Sequence, residues 1–101
     1  MNPPQGHGYR VSLSEAVRGL LVRLHDEASG RGSRAEFAAA LRTMTTRLRT
    51  DPTSFGEELF DPRALRLTIK VAVVLPLAVE FGVYEERRLV FVRTFRYISP
   101  G

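Results

Sequence analysis

Cysteine is absent from this 101-residue chain. No disulfide can form and no thiolate zinc site can be built, which suits a reducing compartment and leads us to expect a cytoplasmic protein. No apolar run approaches the roughly 20 residues that a membrane span requires, and the first residues lack the apolar core of a signal peptide. No phosphate-binding loop, dinucleotide fingerprint, zinc-ligand spacing or nucleophile elbow occurs, so neither a cofactor nor a metal is expected. Internal repeats, low-complexity blocks and signs of a second domain are also missing. Lysine is nearly so: of 15 basic residues against 11 acidic ones, only Lys70 is not arginine. Arginine's planar fork matches phosphate, and the net charge of +4 leans towards an acidic or nucleic-acid partner. It equally fits a soluble basic protein whose arginines are simply solvated.

What is present reads as one domain. A hydrophobic share of 44% is globular rather than disordered, and the length allows a single modest core. Met1–Gly8, rich in proline and glycine, reads as a disordered tail, leaving residues 9–99 as the domain. Its last third alternates strictly: Leu65, Leu67, Ile69, Val71, Val73 and Leu75 are apolar, while Arg66, Thr68 and Lys70 sit between them. That period predicts a strand with one buried and one open face. Pro76 interrupts it, a second run follows over Leu77–Tyr84, and the charged turn Glu85–Arg88 leads into a third, Leu89–Ile98. We therefore expect an antiparallel meander.

A register follows. With Tyr84 opposite Leu89, Val83 meets Val90, Phe81 meets Val92 and Val79 meets Thr94. A three-residue loop Val74–Pro76 sets Val71 opposite Val79 and Ile69 opposite Phe81. Residues directly opposite share a face, so Lys70, Glu80 and Arg93 are expected in one row on the open face, with Arg66 and Tyr84 paired nearby.

Upstream, Tyr9–Leu13 alternates as a short strand. Ser12-Leu13-Ser14-Glu15 fits a capping box, and Leu13, Val17, Leu20, Leu21, Leu24 and Ala28 follow at helical spacing. Ser29-Gly30-Arg31-Gly32 ends this helix. Ser33-Arg34-Ala35-Glu36 is a second box, followed by the stripe Phe37, Leu41, Met44 and Leu48 until Asp51-Pro52 stops it. Thr53–Ala64 reads as a loop anchored by Phe55, Leu59 and Phe60, with Gly56 and Pro62 making turns. The predicted fold is α+β, ordered β-α-α-β-β-β, with a helical hairpin on one face of a small antiparallel sheet.

This layout resembles the RelE/ParE toxin superfamily of bacterial toxin–antitoxin systems. The residues that carry it are Tyr9-Arg10-Val11-Ser12-Leu13 leading into Glu15-Ala16, and Leu48-Arg49-Thr50-Asp51-Pro52 closing the second helix. Gly56-Glu57-Glu58-Leu59 and Val90-Phe91-Val92-Arg93-Thr94-Phe95-Arg96-Tyr97 complete the match, which spans about residues 9–97. The resemblance implies a first strand joined at the sheet edge and a cognate antitoxin as partner. It further implies a target that is either messenger RNA on the ribosome, cut without a metal, or DNA gyrase. The chain departs from the family pattern in two places. Ala78-Val79-Glu80-Phe81 stands where members commonly carry Arg-x-x-Tyr, and Arg96 directly abuts Tyr97. The nuclease constellation is thereby incomplete.

Two sets of residues are candidates for chemistry. Metal-independent RNA cleavage needs a base for the 2′-hydroxyl, an acid for the leaving oxygen and cations on the phosphate. Glu80 can serve as the base, with Lys70 and Arg93 stabilising charge and Arg66 and Tyr84 beside them. The same row can equally be a cross-strand ion pair that keeps the face soluble, since flanking cations weaken a carboxylate as a base. Arg96 and Tyr97 can bind a phosphate and stack a base. In the register above, however, Arg96 falls opposite Leu77 and can instead cover apolar surface with its stem. Two functions follow: a toxin-like endoribonuclease or translation/replication inhibitor, and a non-catalytic interaction module of the same fold.

Overall fold

Serines stand at the start of both helices, and only one of them caps in the ordinary way. Helix α1 (Glu15–Gly30) begins at Ser14, whose side chain accepts the Val17 N–H at 3.1 Å. The cap is thus Ser14 rather than the Ser12 of the predicted box. Helix α2 (Arg34–Thr50) begins at Ser33 as predicted, but the Ser33 hydroxyl makes no cap bond. It lies instead 3.3 Å from the Ala28 carbonyl and 2.5 Å from the Tyr97 hydroxyl. The reach to Tyr97 ties the interhelical turn to the far end of the chain.

The computed structural model describes residues 8–60 and 66–98. The predicted tail, apart from Gly8, and the turn at Pro62 lie outside the described residues. Among the described residues five strands surround the helices in sequence: β1 (Arg10–Leu13) before them, then β2 (Glu57–Phe60), β3 (Thr68–Val74), β4 (Leu77–Tyr84) and β5 (Leu89–Tyr97). They form one sheet in the order β1-β5-β4-β3-β2. Both helices pack on one face of it, giving an α+β fold with a mixed sheet. β1 runs parallel to β5, so the sheet is not wholly antiparallel as predicted. β2 is a further strand where a loop was expected.

The stripes chosen by helical periodicity supply most of the helical side of the core; Ala40 joins them, while Leu20, Leu21 and Leu41 are only partly buried. Val17, Leu24 and Ala28 of α1 and Phe37, Ala40, Met44 and Leu48 of α2 are buried against Leu77, Val79, Phe81, Val83, Val90, Val92 and Phe95. Each of the valine, leucine, phenylalanine and methionine side chains among them contributes about 1.5–3 kcal/mol on burial. Phe55 anchors the α2–β2 connection as expected, stacking on Phe81 with ring centroids 5.9 Å apart. Leu59 does not: it is 52% exposed, because it stands at a register shift between Glu58 and Phe60 in the β2–β3 ladder.

The hairpin β4–β5 keeps the predicted register up to Phe81: Tyr84 faces Leu89, Val83 faces Val90 and Phe81 faces Val92. There the ladder shifts. Glu80 pairs with Thr94, which leaves Arg93 as an extra residue and brings Phe95, not Thr94, opposite Val79. One inserted residue reverses the parity of everything beyond it. Arg96 therefore lies opposite Ala78 rather than Leu77, and Tyr97 takes the place beside Leu77.

The β3–β4 connection departs by one residue as well. Val74 pairs with Leu77, so only Leu75 and Pro76 form the turn. Val71 then faces Glu80 and Ile69 faces Gly82, while Lys70 faces Phe81 and Ala72 faces Val79. The odd-numbered row of β3 is on the open face, the reverse of the expected orientation. A two-residue connection is a favoured hairpin loop length, and it brings the small Ala72, 2% exposed, under the helices.

Gly56 and Gly32 both have positive φ, +80° and +75°. At Gly32 an added Cβ meets nothing, whereas at Gly56 it would lie 2.3 Å from the Val71 carbonyl oxygen. Gly32→Ala should cost about 1–2 kcal/mol from the left-handed conformation alone. Gly56→Ala should cost a further ~1–3 kcal/mol for the collision, read as a clearly larger drop in the urea midpoint. Equal midpoints would contradict the close approach of this loop to β3.

Candidate functional site

The open face can be built row by row from the pairings. One row holds Arg10, Leu89 and Tyr84; the next holds Ser12, Phe91, Gly82 and Ile69. A third holds Arg93 and Thr94 with Glu80, Val71 and Glu57, and a last one Arg96, Ala78 and Val73. The face is therefore not simply polar. Gly82 has no side chain because the Phe91 ring occupies that space: a Cβ there would sit 2.5 Å from two of its ring carbons and 3.0 Å from a Leu67 methyl. Tyr84 adjoins the same ring, at 6.0 Å between centroids. This makes a small second cluster, which arginines flank at one end and at the bulge.

Of the expected Lys70–Glu80–Arg93 row, the structure brings two members together. The Arg93 guanidinium is 2.8 Å from the Glu80 carboxylate, both side chains partly exposed. The bulge gives Arg93 its place beside Glu80, since the residue that has no ladder partner can turn towards the strand opposite. A partly exposed pair of this kind contributes about 0.2–1 kcal/mol. It nonetheless leaves the carboxylate occupied by a cation.

Lys70 is elsewhere. It lies on the helix-side face, 6% exposed, and its Nζ donates to the Thr53 carbonyl at 2.6 Å. Burial pushes its pKa below the usual 10.5; Glu58, its cross-strand neighbour, and Asp51 oppose that shift, and Arg47 adds to it. Together with Thr53, Thr68 and Glu85 it lines a polar cavity of about 230 Å³. Its role is to hold the segment after α2 against β3, so it cannot act on a ligand at Glu80.

The remaining candidates divide in the same way. Arg66 precedes β3 with φ +55°, pairs with Glu86, and shares a shallow pocket with Tyr84, Arg87 and Leu89. Arg96 is exposed on the open face and helps line a small depression with Glu80 and Thr94. Tyr97 is on the other side, packed against the core, bonded to Ser33, with the Arg31 guanidinium 5.4 Å from its ring centre. The Arg96–Tyr97 pair is thus split across the sheet, as neighbours in a strand are. Sequence reasoning did not single out Phe91, although the predicted β4–β5 register sets it on this face opposite Gly82; it missed Arg10, which the parallel pairing of β1 with β5 places beside Leu89.

Among the described residues no group of three or more histidine, aspartate or glutamate side chains could hold a metal ion, and no helix is long and apolar enough to cross a membrane. No family profile, no curated protein and no solved structure matches this chain.

Because the folded Lys70 loses its proton at lower pH than the unfolded chain does, the unfolded state binds more protons in that interval. The Lys70 contribution to stability therefore rises as pH climbs towards 10.5. Replacing it by methionine should flatten that rise in urea midpoints measured between about pH 7 and 10. Parallel profiles for Lys70→Met and wild type would show that the amine is not desolvated.

Proposed function

We propose that this chain is the toxin-like component of a toxin–antitoxin module of the RelE/ParE kind, acting in the cytoplasm by binding rather than by cutting RNA. The layout supports the reading: a first strand joined in parallel at a sheet edge, a pair of helices covering one face, and an opposite face that carries Arg10, Arg93 and Arg96. The observation that carries the choice of binding over cleavage is the separation of Lys70 from Glu80 by the thickness of the sheet. Acid–base cleavage needs at least two groups at one phosphate. Here Glu80 is paired with Arg93, and Lys70, expected beside it, is bound to a backbone carbonyl on the other side.

The working surface in this reading is the arginine-bearing open face, with the Tyr84–Phe91 pair as its apolar floor. Its target is the anionic surface of RNA on the ribosome or of a nucleic-acid enzyme such as gyrase, and the cognate antitoxin is the protein that silences it. The endoribonuclease reading keeps one observation in its favour, a carboxylate and two arginines on the same face. It makes an opposite prediction about Glu80.

Induced expression of wild type should arrest bacterial growth while leaving messenger RNA intact. Arg93→Glu combined with Arg96→Glu should abolish the arrest. Glu80→Ala should retain it, because it removes no binding cation. Cleaved transcripts that disappear in a folded Glu80→Ala variant would establish the nuclease instead. Harmless wild type at matched soluble levels would remove the toxin reading.

A further inference from the structure

The polar cavity beside Lys70 has a lining of mixed charge. Thr53, Glu58, Thr68, Lys70, Val83 and Glu85 surround about 230 Å³, less than the roughly 300–1,000 Å³ of pockets that hold drug-sized ligands. The strand pairings bring four of them together. Thr68 faces Val83 and Lys70 faces Glu58, and residues two apart in a strand share a face. The α2–β2 connection supplies Thr53 and the turn after β4 supplies Glu85. No aromatic side chain is among them, so a nucleobase has nothing to stack on.

The polar groups around this space are largely without partners. Lys70 is only 6% exposed, and of the three donors an ammonium carries the Thr53 carbonyl takes one, at 2.6 Å. Its other donors meet no acceptor among the described residues. Glu58 and Glu85 each favour the charged amine against its burial, yet neither forms an ion pair with it or with any other cation among the described residues. The side-chain hydroxyls of Thr53 and Thr68 are likewise unbonded among those residues. The carboxylates are near enough to act on Lys70 and too far to pair with it, and the cavity is the gap between them. Buried ionic groups ordinarily have their bonds filled, and here the filling has to come from outside the chain.

We propose that this cavity binds a free α-amino acid with a small side chain. The ligand's carboxylate is taken by the Lys70 ammonium and the hydroxyls of Thr53 and Thr68, its ammonium by Glu58 and Glu85, and its side chain rests on Val83. The charges of the lining select a zwitterion. A plain anion meets two carboxylates, and a plain cation meets Lys70 and leaves the donors of that amine unfilled. Lys70 and Glu58 stand directly opposite on neighbouring strands, where Cβ atoms lie about 5 Å apart; this suits a ligand whose two charges are separated by a single carbon. The cavity lies on the face opposite Arg93 and Arg96, so this inference stands whether or not the open face acts as proposed above.

The test titrates the full chain with L-alanine, with propionate, which lacks the ammonium, and with L-alaninamide, which lacks the carboxylate, and follows amide chemical shifts. L-alanine should shift the amides of Thr53, Glu58, Thr68, Lys70 and Glu85 saturably, and each truncated probe should bind about tenfold more weakly or worse. Glu85→Gln should weaken L-alanine by a similar factor. Glu57→Gln, which removes a charge from the other face of β2, should leave its binding unchanged. Lys70→Met should bind L-alanine no better than L-alaninamide, because the partner of the carboxylate is gone. Glu85 sits in an exposed turn, so its variant decides the matter even where Lys70→Met does not fold. Propionate or L-alaninamide binding as tightly as L-alanine, unaltered binding by Glu85→Gln, or shifts confined to other residues would overturn the proposal. So would the absence of any saturable shift with L-alanine.

Discussion

The pairing of β3 with β4 fixes which chemistry each face of this protein can carry. Val74 meets Leu77 across a two-residue turn, and every β3 side chain takes its side from that contact. Ala72 goes under the helices and Lys70 goes with it. Ile69, Val71 and Val73 are left on the face that was expected to be charged. A one-residue change in the connection exchanges these two sets entirely. The buried position is tolerable for Lys70 because it lies beside the segment after α2, where the Thr53 carbonyl receives its Nζ and Glu58 stands opposite.

The second constraint is the bulge at Arg93, which works locally where the turn works globally. It detaches Arg93 from the ladder, lets its side chain reach Glu80, and then inverts the facing of the last four residues of β5. Phe95 gains a place in the core, Arg96 moves to the open face and Tyr97 moves to the helices. There Tyr97 meets Ser33 and Arg31. The same irregularity therefore joins one pair of candidate residues and parts another. The binding reading of this chain rests on both irregularities together.

Much of the architecture was legible because it is written in local periodicity and punctuation. Ser33, the Asp51-Pro52 stop, the stripes through Val17, Leu24, Phe37 and Met44, and the Glu85–Arg88 turn are each decided by a few neighbouring residues. Phe55 could be recognised as an anchor for the same reason. The face of β3 was not legible, because Leu67–Leu75 has apolar residues on both sides: Ala72 serves a core as well as Ile69 or Val71 does. Its alternation recorded that one set is larger, not which set the helices cover. The bulge has no sequence signal in Val92-Arg93-Thr94, and β2, with Glu57 and Glu58, carries none of the β-branched residues that mark strands. The parallel pairing of β1 with β5 joins residues about eighty positions apart, and no short pattern encodes a contact of that separation.

The most direct measurement is the set of cross-strand proton contacts between β3 and β4 in solution. The register described here requires Lys70 side-chain protons close to Phe81 and to the Thr53 segment, Val71 opposite Glu80, and no contact between Lys70 and Arg93. If the nuclear Overhauser effects instead place Ile69 opposite Phe81 and Lys70 beside Glu80, the two faces are exchanged and the binding account fails.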